Sequence, residues 1–112
     1  MPVRSLHSRV LKWPDRATVD LAVRQWAAEM RRQRPEIVRI GYFGSYARGD
    51  WGVGSDLDVI IVVSGDDRVS GWSTAGLPVH ADVLVYTNRE WESLLAGGGR
   101  FARTVKQEAV WV

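Results

Sequence analysis

Apolar residues recur with two different periods along this chain. Val19, Ala22, Val23, Trp26, Ala27 and Met30 fall at i, i+3, i+4, i+7, i+8 and i+11. That spacing draws one continuous stripe on a helix and predicts an α-helix over residues 15–34. Asp15, just after Pro14, suits the N-cap, because its carboxylate can accept a first-turn N–H. Arg31, Arg32 and Arg34 suit the negative end of the helix dipole, where a solvated helix end is the plain reading of such a cluster, and Pro35 stops the helix. Ile37–Phe43 is dense in β-formers and predicts a strand. Asp56–Val63 predicts a second. Its end, Val59 to Val63, is apolar at both parities, which a strand tolerates when both faces are covered, so this strand is expected in the interior of the sheet.

The segments between and after these elements carry weaker signals. Gly44–Ser55 is a glycine-rich connection with room for one helical turn at Ser45–Arg48. Ser64–Leu77, rich in Gly, Asp and Ser, is long for a structureless loop and reads as a hidden short turn or a lid. Val79–Tyr86 predicts a third strand. Asn88 is the expected N-cap of a short helix carrying Trp91, Leu94 and Leu95 and ended by Gly97, Gly98 and Gly99. Arg100–Glu108 predicts a last helix with Phe101 and Val105 inward, and Ala109–Val112 an apolar tail or edge strand. The order implies an α/β (α+β) fold: a small mixed sheet of three strands, or slightly more, flanked by helices.

Composition narrows the class. The length of 112 residues predicts one domain over 1–112, with 1–14 as a basic N-terminal arm. Hydrophobic residues at 46% and charged residues at 25% fit a globular chain and not a disordered one. No run approaches the roughly 20 apolar residues of a membrane span. Met1–Pro14 lacks an apolar secretory core, so no membrane association and a cytoplasmic location are expected. The absence of Cys excludes disulfide scaffolds, thiol nucleophiles and Cys-ligated zinc. Charge is segregated. Residues 1–48 hold ten Lys/Arg against four Asp/Glu, and residues 49–82 hold one Arg against six Asp. A basic first half beside an acidic middle suggests two tasks rather than a diffuse nucleic-acid surface.

The acidic middle carries the chemistry. Asp56 and Asp58 are two apart on a predicted strand, so their side chains share a face. Two such carboxylates repel each other and lose hydration, and a bound divalent cation relieves both costs. Magnesium suits a few carboxylates completed by waters and substrate phosphates. Asp82 is awkwardly placed for a strand residue; if its strand neighbours the Asp56 strand, three carboxylates can converge. Three acids on one face can hold two metal ions, the arrangement that clamps the attacking and leaving oxygens in phosphoryl displacement. Asp82 is also a candidate acceptor for the proton of an attacking hydroxyl. Gly44 and Ser45 follow a strand and open a turn, so their backbone N–H groups and the Ser45 hydroxyl can face a phosphate. Arg48, one turn on, can offset phosphate charge.

Gly44-Ser45, ten further residues, then Asp56-x-Asp58 with Asp82 on a later strand, resembles the DNA polymerase β-like nucleotidyltransferase superfamily, and within it the minimal nucleotidyltransferases. The resemblance runs from about Ile37 to the C-terminus. It implies that Gly44 and Ser45 hold nucleotide phosphates and that Asp56, Asp58 and Asp82 ligate two Mg²⁺, with Asp82 helping to activate the acceptor. It implies adenylyl transfer from ATP with pyrophosphate leaving. Members of this group often act as antitoxins that adenylylate a tyrosine of a small helical HEPN ribonuclease, so a HEPN-type partner encoded nearby is expected. A core this small has little surface of its own for an acceptor.

Other readings stay beside that one. Asp56 and Asp58 read alone as strand-start acids, Asp82 as a buried acid paired to an Arg, and Arg48 as a solvated helix residue. His80 shares a face with Asp82, where a core histidine or one supporting the carboxylates is favoured over a metal ligand. Of six Trp, Trp26, Trp91 and Trp111 are expected in the core, while Trp13, Trp51 and Trp72 are candidates for an interface or base-stacking surface. At the level of function, the alternatives are a non-catalytic binding subunit that acts by direct association, or nucleotidyl transfer to a small hydroxylated molecule with a helical partner subunit. Nothing resembles a template or primer grip, which argues against nucleic acid as partner. A homo-oligomer is left open.

Overall fold

The computed structural model describes residues 13–65 and 71–112. The predicted basic arm therefore lies outside the described residues except for Trp13 and Pro14. Helix α1 (Arg16–Gln33) buries Val19, Val23, Trp26, Ala27 and Met30, five of the six stripe positions. The Asp15 carboxylate accepts the Thr18 N–H at 2.9 Å, and the Arg34 N–H closes the last turn on the Met30 carbonyl at 2.8 Å. The arginines that follow are engaged at this end. Arg32 pairs with Glu29, Arg31 donates to the Val112 carbonyl, and the Arg34 guanidinium lies 4.3 Å from the Trp72 ring centre.

Strand β1 (Ile37–Phe43) leads through a one-turn helix α2 (Ser45–Arg48) and a glycine-rich loop into β2 (Leu57–Val63). Strand β3 (Ala81–Thr87), α3 (Asn88–Gly97), α4 (Arg100–Glu108) and a two-residue strand β4 (Val110–Trp111) complete the chain. The sheet has four strands in the order β3-β2-β1-β4. β1 runs antiparallel to β2 and to β4, whereas β2 and β3 are parallel. No helix of the described residues is long and apolar enough to cross a membrane.

β2 is interior, as its apolar run requires. Val59, Ile61 and Val63 pack with α1, and the alternate Ile60 and Val62 pack with Trp91 and Val105 of α3 and α4. Each face of the sheet thus has its own apolar layer, and all five residues are fully buried. Gly41 of β1 lets the C-terminus dock. A Cβ there would stand 2.5 Å from Trp111 Cε3. Trp111 meets Trp91 edge-on at 5.7 Å, and Arg39 covers its ring at 3.9 Å.

Three expectations change. The N-cap of α3 is Thr87, not Asn88: the Thr87 hydroxyl accepts the Glu90 N–H, and the Glu90 carboxylate accepts the Thr87 N–H. That reciprocal pair satisfies two end groups, which a cap at Asn88 would not. Trp13, Trp51 and Trp72 are half-buried against the α1 core layer rather than presented as an open surface. The described part of the Ser64–Leu77 connection is tied to α1, because Trp26 Nε1 donates to the Ser73 carbonyl at 2.7 Å. Residues 66–70 of that expected lid lie outside the described residues.

Candidate active site

The site forms where β1 ends and β2 and β3 begin. Because β1 is antiparallel to β2, its last residue, Phe43, pairs with Asp58. Because β3 is parallel to β2, Asp58 and Asp82 are direct register partners. Asp56 lies one residue before β2, so it and Asp58 project to the face that carries Ile60 and Val62. Three carboxylates predicted from sequence to converge are thereby gathered at one corner of the sheet.

Gly44 makes the corner. Its φ of +85° belongs to a region that side chains rarely enter. A Cβ on it would also lie 2.5 Å from Asp58 Oδ2. The sequence reading assigned Gly44 to close approach by a phosphate; in the structure, the group that already approaches it is the Asp58 carboxylate. α2 starts directly after Gly44, and its first-turn N–H groups have no partner within the helix. Ser45, half-buried, opens that turn. α2 is anchored from below by the fully buried Tyr46, whose hydroxyl donates to the Pro14 carbonyl at 3.3 Å and accepts from Trp13 Nε1 at 2.8 Å. Trp51 stacks on the Tyr46 ring at 5.7 Å. The Gly52 N–H donates to Ser55 Oγ at 2.8 Å, closing the turn that delivers Asp56.

The electrostatics are those of an acid cluster. Burial, and then the neighbouring Asp82 and Asp56 carboxylates, push the Asp58 carboxyl above its ordinary value, while Arg48 pulls the other way. Arg48 does not reach into the acids. It pairs with Asp50 at 3.0 Å and with Glu108 of α4 at 3.1 Å, so a role toward phosphate requires it to exchange partners. Sequence reasoning missed Glu108, which lies sixty positions away along the chain.

Of the two readings of His80, a core histidine or one supporting the carboxylates, the first does not hold. Its side chain is 70% exposed, so it is not a core histidine. Nδ1 stands 3.5 Å from Asp56 Oδ1 and 3.9 Å from Asp82 Oδ1. One donor atom from each of Asp56, His80 and Asp82 lies within 4.8 Å of the others, close enough to share one ion. The donor chemistry therefore fits a divalent cation: hard carboxylate oxygens converge and repel one another.

Comparison with known proteins agrees with this geometry. No curated protein sequence matches the chain. A crystal structure of a candidate nucleotidyltransferase from Sulfolobus solfataricus superposes with a TM-score of 0.59 at 19% identity, covering 86% of this chain and 80% of that one. At that identity the likeness speaks for the fold. The sequence model of the nucleotidyltransferase domain family matches residues 23–111, a span that begins within α1 and takes in the glycine turn, all three aspartates and β4. With most of its length inside that match, and with the turn and acids folded onto one corner, this chain belongs to the nucleotidyltransferase domain family.

Proposed function

We propose that this protein transfers AMP from ATP to a hydroxyl group of a partner protein, as the antitoxin of a HEPN-type toxin–antitoxin pair. The observation that carries the nucleotidyl-transfer part is the Asp58–Asp82 register pair, with Asp56 beside it and Gly44 packed against the Asp58 carboxylate. Asp56, Asp58 and Asp82 would hold Mg²⁺, which supplies charge neutralisation of the phosphates and of the developing pyrophosphate. The choice of ATP, of a protein acceptor and of a HEPN partner rests on the sequence resemblance.

The chain's own residues do the rest. The N–H groups of the α2 first turn and the Ser45 hydroxyl hold the phosphates, as donors facing an anion. Asp82, more than half exposed, accepts the proton of the acceptor hydroxyl. The acceptor oxygen attacks the α-phosphorus, the bond from that phosphorus to the bridging oxygen breaks, and pyrophosphate departs with the electron pair. Arg48, released from Asp50 or Glu108, would balance phosphate charge.

The test uses ATP labelled at the α- or γ-phosphate, the purified protein, Mg²⁺ and the product of a neighbouring HEPN-like gene. α-Label is expected on the acceptor protein and γ-label is not. Asp56→Ala and Asp58→Ala should each abolish labelling. Labelling that survives both changes refutes the mechanism. Stable association without ATP, unaffected by either change and without labelling, would instead make the chain a non-catalytic binding subunit.

A further inference from the structure

The parallel register of β2 and β3 does more than pair Asp58 with Asp82. The ladder begins with Leu57 opposite Ala81, and the Leu57 N–H donates to the His80 carbonyl at 2.8 Å. One step back along both strands, His80 therefore stands beside Asp56. Residues 56 and 58 share a face, as do 80 and 82. The result is a two-by-two array: Asp56 and His80 across one rung, Asp58 and Asp82 across the rung two residues on. The His80 ring is turned into this array, not away from it. Nδ1 is 3.5 Å from Asp56 Oδ1 and 3.9 Å from Asp82 Oδ1. The tight donor set is Asp56, His80 and Asp82, with one atom of each within 4.8 Å of the others.

The geometry points to His80 as a fourth metal ligand, one that extends the site from Mg²⁺ to first-row transition ions. This rests on the acid cluster being a metal site at all. The chemical reason is the donor type. Mg²⁺ takes carboxylates, waters and phosphates and sheds water reluctantly, so an imidazole adds little to its binding. Imidazole is a good ligand for the transition ions, and Mn²⁺ accepts both oxygen and nitrogen donors. The backbone bond from Leu57 fixes the His80 carbonyl, which leaves its side chain placed by strand register rather than by a mobile loop. Asp56 is then shared between the nucleotide-side acids and a histidine-containing subsite, which makes the array selective as well as catalytic.

The test reads metal binding directly, at pH 8, with Mn²⁺ alone as probe and the whole chain. Titration followed by electron paramagnetic resonance gives the Mn²⁺ affinity, competition gives the Mg²⁺ affinity, and pulsed measurement detects nitrogen coupled to the bound ion. The wild type is expected to show nitrogen coupling. His80→Gln, at an exposed position, should fold normally, lose that coupling and bind Mn²⁺ roughly tenfold or more weakly, with Mg²⁺ affinity nearly unchanged. Mn²⁺ bound without nitrogen coupling overturns the assignment while leaving the carboxylate site intact. Equal weakening toward both ions in His80→Gln overturns it too, because a structural or purely electrostatic role would act on both alike. Failure of the wild type to bind either ion would remove the metal site itself, and the assignment with it.

Discussion

Asp58 should make the metal-free protein less stable than it could be, and removing its charge should raise the melting temperature. Asp58 and Asp82 are direct partners across a parallel pair, so their backbones stand about 4.8 Å apart. Two unit charges at that separation repel by ~1 kcal/mol with water-like screening and ~3 kcal/mol at an effective dielectric of 20. Asp58 is half-buried, but Asp82 is more than half exposed, at 58%. Solvent at Asp82 screens the pair, which brings the repulsion toward the lower figure. Asp58→Asn keeps the shape and removes the charge. We expect it to stabilise the metal-free protein by about 1 kcal/mol, or roughly 4 °C for a domain near this size.

The pH dependence carries the sign. Burial and the neighbouring acids raise the Asp58 carboxyl in the folded state, so the folded form holds this proton more tightly than the unfolded chain does. Well below the ordinary value of 3.8 the group is protonated in both states and costs nothing. As pH rises through that value the unfolded chain ionises first, and the penalty grows until pH has passed the raised folded value. The advantage of Asp58→Asn should thus be absent in strong acid, develop upward from that point and stay constant at neutral pH. High salt should shrink it. Thermal melts in chelator across pH measure this. Added Mg²⁺ should reverse the order, because an ion at a hundred times its dissociation constant stabilises the wild type by about 2.7 kcal/mol and the variant by less. A variant that melts below the wild type in chelator at neutral pH, or gains as much from Mg²⁺, would refute the reasoning.

Three further outcomes are expected. Gly44→Ala should cost about 1–3 kcal/mol from its positive φ alone, and it should abolish metal binding by forcing the Asp58 carboxylate away; calorimetry that finds metal affinity intact would show that this approach is not needed. Thr87→Ala should cost about 1 kcal/mol in a denaturant melt, whereas Asn88→Ala should be close to neutral, since the cap is at 87. Glu108→Ala should leave Arg48 with Asp50 as its remaining partner and tighten ATP binding several-fold in a filter or fluorescence titration; unchanged affinity would mean that Arg48 does not reach the nucleotide.

What the sequence disclosed depended on how locally each feature is determined. α1 and β2 were legible because their patterns are internal. A 3.6-residue stripe buries one face of a helix, and five β-branched apolar residues in a row, Val59 to Val63, suit a strand covered on both faces. The cap of α3 was legible in principle, since Thr87 and Glu90 stand at capping-box spacing, but Asn88 is also a good cap residue and competes with it at the level of single positions. The acids were found because their spacing is local and their repulsion suggests a shared cation. The ion-pair partner of Arg48 and the exposure of His80 were not legible, for a common reason. The partner of Arg48 comes from α4, and the position of His80 depends on the β2–β3 register. Register across a long connection has no signature in either strand taken alone. The alternation of β3 tells which residues share a face, not which residue of β2 each will meet. That same undetermined step decides the chemistry. A slip of two residues would keep every side chain on its present face and leave both apolar layers formed, yet it would break the rung between Asp58 and Asp82 and carry His80 away from Asp56. The cores on the two faces therefore specify only the parity of the register. The choice among equal-parity registers must come from the ends of the ladder: the Leu57–His80 hydrogen bond at one end and the Thr87–Glu90 cap that starts α3 at the other.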